Sequence, residues 1–133
     1  MLRYMLDTDI CIYVLKNHPP QVKTRFDEHV GHLCISSVTL AELTYGAEKS
    51  AKPAHNLSIV ESFIARLEVL PFNEKAAAHY GQIRATLEKA GTLIGPYDLM
   101  IAAHARSEGF CIITNNGREF ERVEGLRVEN WVD

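Results

Sequence analysis

Apolar positions along this chain fall into short solid runs, separated by longer stretches in which they recur every three to four residues. Residues 2–6 form the first run and predict a buried strand that ends at Asp7. From Thr8 the rhythm changes: Ile10, Tyr13 and Val14 share one face of a helix that Thr8 or Asp9 can cap. Pro19-Pro20 closes it, and Gln21 to His29 predicts a second helix, broken by Gly31. Leu33-Cys34-Ile35 predicts a short buried strand, after which Ser36-Ser37 supplies cap chemistry for a helix from Val38 to Lys49. Pro53 starts another helix through Leu67, with Leu57, Val60, Phe63, Ile64 and Leu67 at helical spacing. Glu68 to Pro71 predicts a third strand. Asn73 can cap a helix from Glu74 to Lys89 that Gly91 stops, and Gly95-Pro96 opens a helix to Glu108, stopped by Gly109. Phe110 to Thr114 predicts a fourth strand. Asn115-Asn116-Gly117 reads as a turn before a short polar helix, and Val128 with Trp131 suggests a last strand.

Strands alternating with helices imply an α/β fold whose mainly parallel sheet is covered on both faces. With no repeat, linker or low-complexity tract, residues 1–133 read as a single domain. Ligands in such sheets bind beyond the C-terminal strand ends, near the point where strand order reverses. Asp7 and Thr114 both end predicted strands.

Composition narrows this picture. A hydrophobic content of 47% suits a packed core and excludes disorder. No apolar run reaches membrane-spanning length and no signal peptide is evident. Cys11, Cys34 and Cys111 are each flanked by apolar residues and read as free thiols, which points to a reducing cytoplasm. No two cysteines are close, so zinc is disfavoured. A net charge of −3, from 14 Lys and Arg against 17 Asp and Glu, gives no basic footprint for nucleic acid.

The candidate chemistry is acidic. Asp7, Glu42 and Asp98 each follow an element boundary within apolar sequence. Each also has a structural reading: Asp7 as a helix cap, Glu42 as the far end of a Thr39-x-x-Glu42 capping box, Asp98 as a first-turn acid. Asp9 reads as a helix-start acid. Taken together, acids at element starts can converge on one spot, where their repulsion demands protons or a cation. An all-oxygen donor set suits a hard cation, Mg²⁺ or Mn²⁺. A second chemistry is open: Asp7-Thr8-Asp9 after an apolar strand fits a small aspartyl-phosphate phosphatase with Asp7 as nucleophile. Cys11 stands where a Thr or Val is usual for such enzymes. A dinucleotide-binding fold is excluded, because no glycine-rich turn follows the first strand.

Four stretches in order give these acids a context: Met5-Leu6-Asp7-Thr8-Asp9, Ser37 to Gly46 around Glu42, Ile94 to Ala105 around Asp98, and Ile113-Thr114-Asn115-Asn116-Gly117-Arg118-Glu119-Phe120. At these residues the sequence resembles the PIN-domain ribonucleases, specifically the VapC toxins of bacterial toxin–antitoxin pairs. The resemblance spans nearly the whole chain. It implies a PIN-like three-layer α/β/α sandwich and a Mg²⁺- or Mn²⁺-dependent endoribonuclease leaving a 5′-phosphate and a 3′-hydroxyl. Asp7, Glu42 and Asp98 would be its metal ligands and catalytic acids. Asn116 stands where many members carry a further Asp, and Glu119 matches an acid used by others; either could complete the site. Thr8, Ser36 and Thr114 could hydrogen-bond the acids, or serve as caps. The resemblance further implies an RNA substrate, commonly tRNA and for similar members initiator tRNA in the anticodon region. It implies a VapB-type antitoxin that masks the site and a homodimer, with no membrane partner. Apolar residues of the first, third and fourth helices could face the antitoxin. Lys16, Lys49, Lys52 and Arg118 are candidate phosphate contacts. With Asn116 and no basic footprint, an inactive PIN-like binding module is the remaining alternative.

Overall fold

The computed structural model describes residues 1–133. Its central strand is β1 (Tyr4–Leu6), flanked by β2 (Leu33–Ser36) and β4 (Cys111–Ile113). With β3 (Glu68–Leu70) and β5 (Val128–Glu129) at the edges, the sheet is five-stranded and wholly parallel, in the order β3-β2-β1-β4-β5. The order reverses at β1, so the crevice expected beyond the strand ends opens where Asp7 leaves it.

Alternation along each short strand sets the two outer layers. Leu6, Leu33, Ile35 and Ile113 point to one face, where α1 (Thr8–Lys16), α2 (Pro20–Glu28), α3 (Ser37–Glu48) and α4 (Pro53–Ile64) bury Ile10, Val14, Phe26, Leu43 and Phe63 against them. Met5, Cys34 and Ile112 point to the other, under α5 (Glu74–Ala90), α6 (Pro96–Glu108) and the short α7 (Gly117–Phe120). The result is a three-layer α/β/α sandwich. No helix is long and apolar enough to cross a membrane.

Three local expectations are corrected. Glu42 does not close a capping box: α3 begins three residues earlier than the Thr39 register needs, with Ser36 as its cap accepting from the Val38 N–H at 3.1 Å. Thr39 is instead fully buried inside the first turn. The last strand is only Val128–Glu129. Trp131 lies past it, buried because the chain folds back and stacks the indole on His29 at 5.1 Å and edge-on to Tyr4 at 6.2 Å. The fourth helix ends at Ile64, not Leu67.

Ser36 is also the tie between the two helices that carry acids. Its hydroxyl, while capping α3, is hydrogen-bonded to Nδ1 of the buried His104 on α6 at 2.8 Å. Burial pushes His104 below the ordinary histidine range, so the ring is neutral. Ser36→Ala removes a cap and leaves a buried imidazole nitrogen unpartnered. It should cost about 2 kcal/mol in chemical denaturation; a loss under about 0.5 kcal/mol would show the tie to be slack.

Candidate active site

Asp7 is 2% exposed, and both its carboxylate oxygens are engaged. Oδ1 accepts from the Ile10 N–H at 3.0 Å, which makes Asp7 the cap of α1. Oδ2 accepts from the Thr114 hydroxyl at 2.5 Å. Asp7 is therefore a helix cap as well as a candidate site residue. Burial is the main force on its carboxyl and pushes it up to about 7, against the pull of those two hydrogen bonds; Asp9 and Asp98 push the same way. A carboxylate held this way at the end of a central strand is short of a counter-charge.

Asp98 enters from the first turn of α6, which Pro96 starts in the geometry a first-turn proline favours. It too is pushed up, to about 6, first by burial and then by Glu119, Asp9 and Glu42, with the Asn116 amide partly offsetting them. Glu42, in the second turn of α3, is half-buried, and its Oε1 accepts from the Thr8 hydroxyl at 2.5 Å. Asn116 and Glu119 are tied to this group through Thr114. The Thr114 hydroxyl accepts from the Asn116 N–H at 2.8 Å, and the Asn116 amide donates to Glu119 Oε2 at 2.9 Å. Asp7, Thr114, Asn116 and Glu119 thus form one hydrogen-bonded chain, with Asp98 coupled to its far end. Of the three hydroxyls expected near the acids, Thr8 and Thr114 bond to them, while Ser36 caps α3.

The group opens into a cleft of about 940 Å³ lined by Thr8, Asp9, Glu42 and Asp98, with Tyr45, Lys49 and Tyr97 on its walls. Asp7 lies beneath the cleft and Glu119 beside it. Asp9 lines it as well, so its role is wider than the helix-start reading gave it. Of the four basic residues proposed from sequence, only Lys49 lines this cleft; Lys16 lines the neighbouring groove, and Lys52 and Arg118 line neither.

The donor chemistry fits a hard divalent cation. Five acids gather here, and none of the four ion pairs in the chain involves any of them. Two are pushed toward neutrality, first by burial and then by the neighbouring acids. The side chains do not yet converge: no three His, Cys, Asp or Glu groups stand close enough together to hold a metal ion. Thr8 holds Glu42 and Asn116 holds Glu119 through hydrogen bonds.

The model of the PIN domain family matches residues 4–126. The chain belongs to the PIN-domain family. Among PIN-domain relatives it is 57% identical to the tRNA(fMet)-specific endonuclease VapC of Shigella flexneri over 131 residues, covering 98% of this chain and 99% of that one. It is 55% identical to Ribonuclease VapC2 of Haemophilus influenzae over 132 residues, covering 99% of this chain and all of the relative. Its fold is similar to that of the DNA-bound VapBC from Salmonella typhimurium, with a TM-score of 0.94 at 56% identity over 98% of this chain and 99% of that one. Asp9, Tyr45 and Tyr97 line the cleft without having been expected there from the sequence. Their signals were spacing from Glu42 and adjacency to Asp7 and Asp98.

Proposed function

We propose that this protein is the toxin of a type II toxin–antitoxin pair, an endoribonuclease dependent on Mg²⁺ or Mn²⁺. The observation that carries the metal requirement is the pair Asp7 and Asp98, pushed up to about 7 and about 6 in a cluster of acids that no Lys or Arg neutralises. Asp7, Glu42 and Asp98 would hold the cation, with Glu119 and Asn116 completing the site. The bound cation would supply a polarised water and neutralise charge at the scissile phosphorus. The chain's own part is positioning. Thr114 and the Ile10 N–H fix Asp7, Thr8 restrains Glu42, and Asn116 restrains Glu119. The match of the PIN-domain family over residues 4–126 favours this reading over the phosphatase one.

The names of the relatives support tRNA as substrate, and initiator tRNA in particular. The VapBC structures support a VapB-type antitoxin partner. An apolar groove of about 310 Å³ between α1, α3 and α4, lined by Ile12, Leu15, Leu43, Ala47, Ile59 and Val60, suits a partner segment. It shares Glu42 and Gly46 with the acidic cleft, so a segment seated there would reach the site it masks. We take the toxin to be a homodimer, as the resemblance to VapC toxins implies.

The test is to incubate purified protein with total tRNA and Mg²⁺ and sequence the new RNA ends. A dominant cut in the initiator tRNA anticodon region, bearing 5′-phosphate and suppressed by EDTA, is expected. Intact tRNA under all divalent ions would leave only a non-cleaving PIN-like module.

A further inference from the structure

The cleft that would take RNA is unusually poor in positive charge. Asp9, Glu42 and Asp98 line it, and Lys49 is its one cation. Phosphate contacts dominate the affinity of most nucleic-acid binders, but these walls repel phosphate wherever no metal intervenes. What the walls do offer is aromatic. Tyr45 is 64% exposed and Tyr97 57%, and both line this cleft. The core does not explain them, since neither packs in a buried cluster.

Their placement is regular. Glu42, Tyr45 and Lys49 recur at i, i+3 and i+7 on α3, one stripe running from the acids along the cleft wall. Tyr45 follows Glu42 by one helical turn, Tyr97 directly precedes Asp98 at the start of α6, and all four line the same cleft. Lys49 Nζ lies 4.9 Å from the Tyr45 ring centroid and pairs with no carboxylate. Beside Tyr45, Gly46 sits in the last turn of α3 although nothing lies within 4 Å of where its Cβ would be. Packing does not demand a glycine there, yet it weakens the helix. Its effect is a flat step next to an exposed ring.

We infer that Tyr45 and Tyr97 are a stacking platform for unpaired bases of the RNA strand, with Lys49 taking a flanking phosphate. The inference rests on the ribonuclease reading above. Single-stranded loops are the part of RNA whose bases can splay onto aromatic side chains, and every base has a π-face. A site that grips bases rather than phosphates reconciles an acidic cleft with a polyanionic substrate. It also makes the walls select looped RNA over a duplex.

The experiment uses the full chain in EDTA, where no cleavage occurs, and a fluorescein-labelled 15-nucleotide single-stranded oligoribonucleotide. A second probe has the same backbone with abasic riboses in the central positions. Tyr45→Ala and Tyr97→Ala should each weaken binding of the first probe about five- to a hundredfold. Tyr45→Phe and Tyr97→Phe should bind within about twofold of wild type, because the ring is kept. On the abasic probe the alanine variants should match wild type. Melting temperatures should stay near wild type, as both side chains are exposed. In Mg²⁺ the loss should fall on KM more than kcat. Alanine variants that bind the first probe as tightly as wild type overturn the platform, and so does a loss that persists on the abasic probe. Unchanged RNA binding with weakened binding of a VapB-type antitoxin overturns it in favour of a protein-contact surface. Wild-type protein that neither binds nor cuts RNA overturns the ribonuclease reading itself, a result distinct from active enzyme indifferent to both tyrosines.

Discussion

Asp7→Asn and Asp98→Asn should each slow RNA cleavage at saturating Mg²⁺ about a thousandfold or more, without unfolding the protein. A metal's stabilisation of phosphoryl transfer is worth several kcal/mol, and each 1.36 kcal/mol is a decade in rate. Each substitution keeps the shape of the side chain and one oxygen, but removes a charge from the proposed donor set. At position 7 the amide oxygen can still accept from the Ile10 N–H, so the cap on α1 survives. The Thr114 hydroxyl, which already accepts from the Asn116 N–H, loses its acceptor where the amide nitrogen replaces Oδ2, a local cost of about 1–2 kcal/mol that leaves the fold in place. At position 98 the side chain is half-buried and no carboxylate partner is lost. Single-turnover cleavage rates, taken alongside circular dichroism, separate lost chemistry from lost fold. Either variant cutting within tenfold of wild type would mean that the carboxylates have been placed in the wrong role.

How far these acids could be read before the fold was known differs from residue to residue. Asp7 was legible because a solid apolar run ends on it, and the topology then put that run at the reversal point of the sheet. Asp98 was legible because Gly95-Pro96 fixes where its helix begins. Glu42 stood out as an acid, but its capping-box explanation is not what the fold uses. Ser36 and Thr39 are equally good caps on local chemistry, and the choice is made by β2, whose last residue must be Ser36 to pair with Leu70. That is a contact across 34 residues, outside any local window. Asp9 was underrated for a similar reason. A first-turn acid has a sufficient local explanation in the helix dipole, and its facing Asp98 across the cleft is a tertiary fact. Trp131 was misassigned to a strand because an apolar residue near an edge strand has the same local signature as one that folds back under it. The whole-chain topology, by contrast, followed from the alternation of patterns, since parallel strands joined by helices leave few arrangements.

In EDTA the wild-type protein should become less stable as pH rises from about 4 to about 7, a trend that Asp7→Asn should largely abolish. The Asp7 carboxyl ionises near 3.8 when the chain is unfolded and at about 7 when folded. The folded state thus keeps a proton that the unfolded state gives up. A carboxyl raised in this way contributes its full stability below the unfolded value and loses it as pH climbs through the folded one. A shift of that size corresponds to a ceiling of about 4 kcal/mol. Asp98, raised to about 6, works in the same direction but is half-exposed and counts for less. His104 works the opposite way: its depressed folded value means stability is lost as pH falls below the ordinary histidine range. Comparing wild type with Asp7→Asn at each pH cancels that contribution, because His104 is unchanged in both. The gap between them should open across this window and, after the cost of the acceptor that Thr114 loses in the variant, reach about 2 kcal/mol near pH 7.5 in favour of the variant, or about 7 °C in Tm. Adding Mg²⁺ or Mn²⁺ at pH 7.5 should then raise the wild-type Tm and narrow the gap, since the cation binds the folded carboxylates and not the unfolded chain. A variant less stable than wild type in EDTA at pH 7.5 would show that Asp7 is worth more to the fold as a charged helix cap than its burial costs.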